Sequence, residues 1–101
     1  NQEEESNALS GLTVRELTPT LAPRLGLDEK EAGVVVMKVD LASRIYEAGI
    51  RLGDIILQIN QKNVSTIEEY RQTASRLKPK ERVLLLIRRK GEDLFVTIRA
   101  D

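Results

Sequence analysis

The stretch from Ala48 to Asn60, AGIRLGDIILQIN, constrains this chain more than any other part of it. It sets a helix stop, a tight turn and a buried strand in direct succession. Gly49 stands where a short helix over 43–48 ends, and the position just past a helix end favours glycine because it takes positive φ. Gly53-Asp54 is a second turn signal shortly afterwards. Ile55-Ile56-Leu57 and Ile59 then form a run with little polar interruption, which predicts a central strand of a sheet. Asn60 closes it.

The flanking sequence supplies partners for that strand. Leu12 to Leu17 alternates, with Leu12, Val14 and Glu16 on one face and Thr13, Arg15 and Leu17 on the other. Thr20 as N-cap, Pro23 in the first turn and Gly26 as the stop predict a short helix that carries Leu21 and Leu25 one turn apart. Residues 27–32 read as a charged loop, and Gly33 to Val39 as a buried strand rich in β-branched residues. Ser43 suits the N-cap of the short helix before Gly49. Gln61 to Val64 reads as a turn. Thr66-Ile67-Glu68-Glu69 fits a capping box. The helix it opens sets Ile67, Tyr70, Ala74 and Leu77 on one stripe, with Lys78-Pro79 as its stop. Residues 82–88 and 94–99 read as two strands, joined by a turn over Arg89 to Glu92. The polar, acidic start of the chain has nothing to bury, so residues 1–8 read as a flexible linker and 9–101 as one domain. The expected fold is mixed α/β, mainly β: a small, partly open barrel or sandwich of about five strands with one longer and two short helices.

Composition narrows the chemistry. A chain of 101 residues makes one domain with a modest core. Its 16 basic and 16 acidic residues cancel, which argues against a phosphate-driven nucleic-acid binder. Arg88-Arg89-Lys90 is the one dense basic run, and at a hairpin turn it reads as a solvated tip. There is no cysteine and no histidine, which removes thiolate chemistry, the commonest general base and the commonest metal ligand. Ser6, Ser10, Ser43, Ser65 and Ser75 are present, but none is read as having a base beside it, and no Gly-x-Ser-x-Gly elbow occurs. The domain is therefore expected to be non-catalytic, with no metal site and no cofactor. No apolar run approaches the roughly eighteen residues of a membrane span. No signal-peptide pattern is present, which leaves the compartment open.

Ala48-Gly49-Ile50, Gly53-Asp54, Ile56 and Ile59-Asn60 resemble the signature of PDZ domains. The flanks resemble the bacterial form found in HtrA/Deg-type (Do-like) serine proteases, and the resemblance runs from Leu9 to Arg99. It implies the permuted bacterial order, in which the chain begins at the ligand-pairing strand. It also implies a site. The loop Leu9-Ser10-Gly11-Leu12 would hold a peptide's terminal carboxylate by successive backbone N–H groups. The peptide would add as a strand beside 12–17, alongside Leu12, Thr13 and Val14. Tyr70, Ala74 and Leu77 would line the facing helix. Leu12, Val14 and Leu77 would shape the pocket for the last, apolar side chain, and Tyr70 would meet the residue two before it. On pattern alone, the same apolar stripe is also what a plain core shows.

The resemblance implies a module that captures C-terminal or unfolded segments for an attached serine protease domain, in periplasmic protein quality control. Residues 17–27 and the nearness of the last strand to Asp101 resemble the second PDZ domain of such proteases more than the first. The alternative it implies is an assembly module that contacts neighbouring subunits. Nucleic acid and membrane insertion are not implied. Three features depart from the family pattern. Ser10 stands where an apolar residue is usual, Leu41-Ala42 where Pro-Gly is usual, and the acidic Glu3-Glu4-Glu5 precedes the carboxylate loop. A Gly11→Val change is expected to abolish binding while leaving the fold mostly intact. A few main-chain bonds of about 0.5–1.5 kcal/mol each and one buried side chain of about 1.5–3 kcal/mol, set against the cost of association, predict an affinity of about micromolar or poorer.

Overall fold

The computed structural model describes residues 5–6, by their backbone, and 11–99. In chain order these form β1 (Glu5–Ser6), β2 (Leu12–Glu16), α1 (Leu21–Arg24), β3 (Val34–Val39) and α2 (Arg44–Glu47). There follow β4 (Ile55–Ile59), β5 (Lys62–Asn63), α3 (Ile67–Ser75), β6 (Arg82–Arg89) and β7 (Glu92–Arg99). The strands make one sheet in the order β1-β2-β3-β4-β6-β7, with β5 paired to β4 off that path. Every pairing is antiparallel. The strand predicted from the 48–60 stretch is central, as expected. The fold is mainly β, with β2, β3, β4, β6 and β7 as the five longer strands.

Both short helices end in the same way. At α1, Gly26 N–H donates to Pro23 O and Leu27 N–H to Ala22 O. At α2, Gly49 N–H donates to Tyr46 O and Ile50 N–H to Ile45 O. This is the Schellman arrangement, and it needs a left-handed residue just past the helix: Gly26 has φ 78° and Gly49 φ 110°. Ser43 caps α2 as predicted, accepting from Tyr46 N–H. The start of α1 differs from the prediction. Thr20 already has helical backbone angles and makes no side-chain cap. Thr18 Oγ1 accepts from Leu21 N–H instead, three residues on, and Thr18 O accepts from Ala22 N–H, the pattern of a helix N-cap.

Four other features differ from the expectation. The turn after β4 is shorter than expected: Asn60 and Gln61, at φ 51° and 70°, make a two-residue hairpin with β5. Lys90 and Gly91, at φ 52° and 82°, do the same between β6 and β7, so the strands run to Arg89 and from Glu92. Helix α3 ends at Ser75, and Leu77 lies beyond it. There Arg76 and Leu77 donate to carbonyls three residues back, which tightens the last turn ahead of Lys78-Pro79. Finally, Glu5–Ser6, expected as linker, pair with β2 as an edge strand.

The main core lies between the sheet and α2 and α3, with Tyr70, Ile56, Ile59, Leu85 and Ile87 all inaccessible to solvent. A smaller cluster of Leu17, Leu21, Ala22, Val35 and Ile55 sits under α1. The basic run is not a free tip. Arg88 bonds Asp93 at 2.7 Å and Glu31 at 2.9 Å, and these partners hold its pKa above the usual arginine value. The Asp93 carboxyl is lowered in turn, chiefly by its hydrogen bond from Arg88. Arg89 forks onto Asp54 through Nε at 2.9 Å and Nη2 at 2.7 Å, and Nη2 also reaches Gly49 O. Asp54 is the one buried charged residue among the described side chains, 2% exposed, and it also accepts from Arg51 N–H.

Asp54→Ala leaves Arg89 and the Arg51 N–H without that acceptor. Since the Arg89 side chain is 35% exposed, the expected loss is at the low end for a broken buried pair, about 2–3 kcal/mol in urea unfolding. Arg89→Lys keeps the charge but not the fork and should lose about half as much. Equal, small losses for both would remove the pair from this role.

Candidate functional site

Strand β2 pairs along its whole length with β3 on one side, from Leu12↔Val39 to Glu16↔Val34. Its other side is met, among the described residues, by the short β1, through Glu5↔Arg15 and Ser6↔Val14. Helix α3 lies against both β1 and β2. The outer edge of β2 and the face of α3 are therefore the two walls of a slot, and an extended segment of the chain runs in it, antiparallel to β2.

The walls are fixed at one end by a contact that joins distant parts of the sequence. Glu16 Oε1 accepts from Ile67 N–H at 2.8 Å, so the last residue of β2 holds the first turn of α3. A carboxylate there also suits the positive end of the helix dipole. The predicted capping box forms in full: Thr66 Oγ1 accepts from Glu69 N–H, and Glu69 Oε1 accepts from Thr66 N–H. Glu69 Oε1 further accepts from Ser65 N–H. At the other end, Gly11 has φ 84°, a left-handed turn ahead of β2. Its carbonyl accepts from Asp40 N–H at 2.8 Å. A Cβ on Gly11 would come within 2.6 Å of the Ser43 Cβ, at the N-cap of α2.

That proximity corrects the expectation for Gly11→Val. The change would press on α2 and strain the turn, so it disturbs the fold as well as the loop.

The structure brings Leu12, Val14, Tyr70 and Ala74 together in the main core cluster, 1%, 0%, 0% and 7% exposed, with the half-buried Leu77 packed against them. Leu77 reaches this cluster from the segment after α3 rather than from the helix. Thr13 is half-buried and outside the cluster. Leu9 and Ser10 lie outside the described residues. Sequence reasoning missed Glu16 as a tie between the walls; its place on the Leu12–Val14 face was the available signal. One Ser-x-x-Lys spacing does occur, from Ser75 to Lys78. Both residues are exposed, and the Ser75 hydroxyl donates to Gln72 O. Among the described residues no group of acidic side chains could hold a metal ion. No helix among them is long and apolar enough to cross a membrane.

Comparison with known proteins agrees with this geometry. The family described as "PDZ domain" matches residues 10–99. A Chlamydia muridarum protein named as a probable periplasmic serine endoprotease, DegP-like, is 34% identical over 91 residues, which cover 90% of this chain and 18% of that protein. A Rickettsia conorii protein of the same description is 29% identical over 98% of this chain and 20% of its own length. The chain thus spans about a fifth of the length of such relatives. Among solved structures, the HtrA-type protease AlgW with a decapeptide superposes with TM-score 0.80 at 27% identity, over 96% of this chain and 29% of that one. The HtrA3 PDZ domain bound to the phage-derived ligand FGRWV superposes with TM-score 0.76 at 26% identity, over 99% and 88%.

If Glu16 ties the walls, Glu16→Ala should lower stability by about 1–2 kcal/mol, the worth of a charge-assisted bond at a partly buried site. Thr66→Ala, which removes the neighbouring cap, should cost about 1 kcal/mol. Because both act on one helix end, the double variant should lose less than the sum. Strict additivity in chemical denaturation would mean that the two contacts are independent.

Proposed function

The chain belongs to the PDZ domain family, and from that premise we propose that it captures extended peptide segments by adding them to β2 opposite α3. The observation that carries this reading is the edge of β2, where an extended segment pairs antiparallel at Val14 and Arg15 in contact with α3. Strand addition satisfies main-chain groups with little regard to sequence, while side-chain pockets supply preference. In this reading Gly11 and Leu12 stand at the carboxylate end of the groove. Leu12, Val14 and Leu77 shape the pocket for an apolar last residue, and Tyr70 and Ala74 line the helix wall. Leu9, Ser10 and Thr13 complete the site.

The domain is non-catalytic. Its job is to recruit C-terminal or unfolded segments to an attached serine protease domain, in the periplasm as the names of its relatives suggest, and to influence that protease. The similar AlgW and HtrA3 structures, both with peptides, support this. Nothing in it calls for a cofactor. A second reading, contact with neighbouring subunits, is favoured by β7. That strand is an edge of the sheet and presents Phe95, 66% exposed, and Leu94, 36% exposed.

The test is an NMR amide titration with FGRWV, as the free acid and as the C-terminal amide. Shifts over Leu12–Glu16 and Ile67–Leu77, larger for the free acid, are expected, with a dissociation constant of about micromolar or weaker. Leu77→Ala should weaken binding several-fold and Arg76→Ala should not. Equal response to acid and amide would remove carboxylate capture but keep strand addition. No response, with concentration-dependent shifts on β7, would favour the assembly reading.

A further inference from the structure

We infer that the groove is self-occupied: Glu5–Ser6 hold the place of the incoming strand, and a ligand binds by displacing them. The inference rests on the peptide-binding reading above and adds a regulation to it. Three observations lead to it. First, β1 pairs with the side of β2 that β3 leaves free, so it takes the edge at which the proposed ligand strand would add. Second, it runs antiparallel to β2 and lies against α3, so it sits between the two walls rather than outside them. Third, Leu12, Val14 and Tyr70 are already buried in the main core, 1%, 0% and 0% exposed, so what the free edge of β2 offers an occupant is chiefly its main-chain groups.

Such an occupant differs from a peptide ligand in one chemical respect. Ser6 continues into the rest of the chain, so the segment brings main-chain groups but no terminal carboxylate. It is also tethered, and a tethered segment competes at a high effective concentration while making few contacts. The bonds of a short ladder are largely offset by the entropy of ordering the segment, so the balance is close, and we take about a tenth to a third of the molecules to be open. Apparent affinity for any external strand then falls about three- to tenfold, because only the open fraction binds. A ligand with a free carboxylate and an apolar last residue makes contacts that β1 lacks, and these shift the exchange in its favour.

The experiment compares FGRWV binding to the natural chain and to Glu5→Pro/Ser6→Pro by amide titration. Proline at both positions removes both N–H groups, so the pairing is lost whichever of the two faces β2. The double-proline chain should bind three- to tenfold tighter. Without peptide, its Val14 and Arg15 amides should shift while its melting temperature stays close to that of the natural chain. Glu5→Gly/Ser6→Gly, a milder change that only raises the entropy lost on pairing, should give a smaller gain in the same direction. Equal affinity in all three chains overturns the self-occupied groove and leaves peptide binding standing. No response of β2 or α3 to the peptide in any chain overturns both.

Discussion

The rest of the structure depends on the buried carboxylate of Asp54. It closes the turn that opens β4 by accepting from Arg51 N–H, and it draws Arg89 across from the end of β6. The same guanidinium reaches Gly49 O, so one side chain joins the end of α2, the turn and the β6–β7 hairpin. Two more main-chain bonds stitch this turn to β3: Val36 N–H to Asp54 O and Gly53 N–H to Val36 O. At its other end α2 carries Ser43, whose side chain abuts Gly11 ahead of β2. The turn is thus connected, through one short helix, to the start of β2, the strand proposed to receive a peptide. The arrangement also explains Asn60, the last residue of the same stretch. Its side chain accepts from Leu84 N–H at 2.9 Å, and its own N–H donates to Leu84 O, so β4 stays joined to β6 while the chain turns.

The groove depends on a second constraint, the placement of α3. A helix this short gains little from propensity and owes its position to its ends and its buried face. Thr66 and Glu69 satisfy its first N–H groups, Glu16 binds it to β2, and Tyr70 and Ala74 seat it on the core. In the proposed function, walls held in this way would receive an extended backbone with no change beyond the displacement of β1. The area on offer is small, however, and ordering a free peptide is costly. Under the proposed function, weak and exchangeable binding is therefore expected.

Much of this was legible in the sequence where the cause is local. Gly49, Ser43 and the Thr66–Glu69 capping box act within a few residues of where they stand, and each took its expected place. The contacts that organise the groove were not legible in that way. Arg89 meets Asp54 across 35 residues, and Glu16 meets Ile67 across 51. A run of charges such as 88–90 looks solvated until its partners are known. Strand β1 is two polar residues with no alternation, so the sequence carries no strand signal there. Thr18 and Thr20 offer the same chemistry to α1, and the helical backbone angles of Thr20 leave the capping bond to Thr18. Leu77 joined the apolar stripe by spacing, yet the tightened last turn before Pro79 carries it past the helix.

The central claim is that an external peptide lies on β2 in the manner of a strand. An isotope-filtered NOE experiment on the labelled chain with unlabelled FGRWV tests it most directly. Cross-strand contacts from the peptide backbone to Val14 and Arg15, with peptide side chains touching Tyr70, Ala74 or Leu77, are the predicted result. Peptide contacts confined to the β7 edge or to the α1 side of the sheet would contradict it.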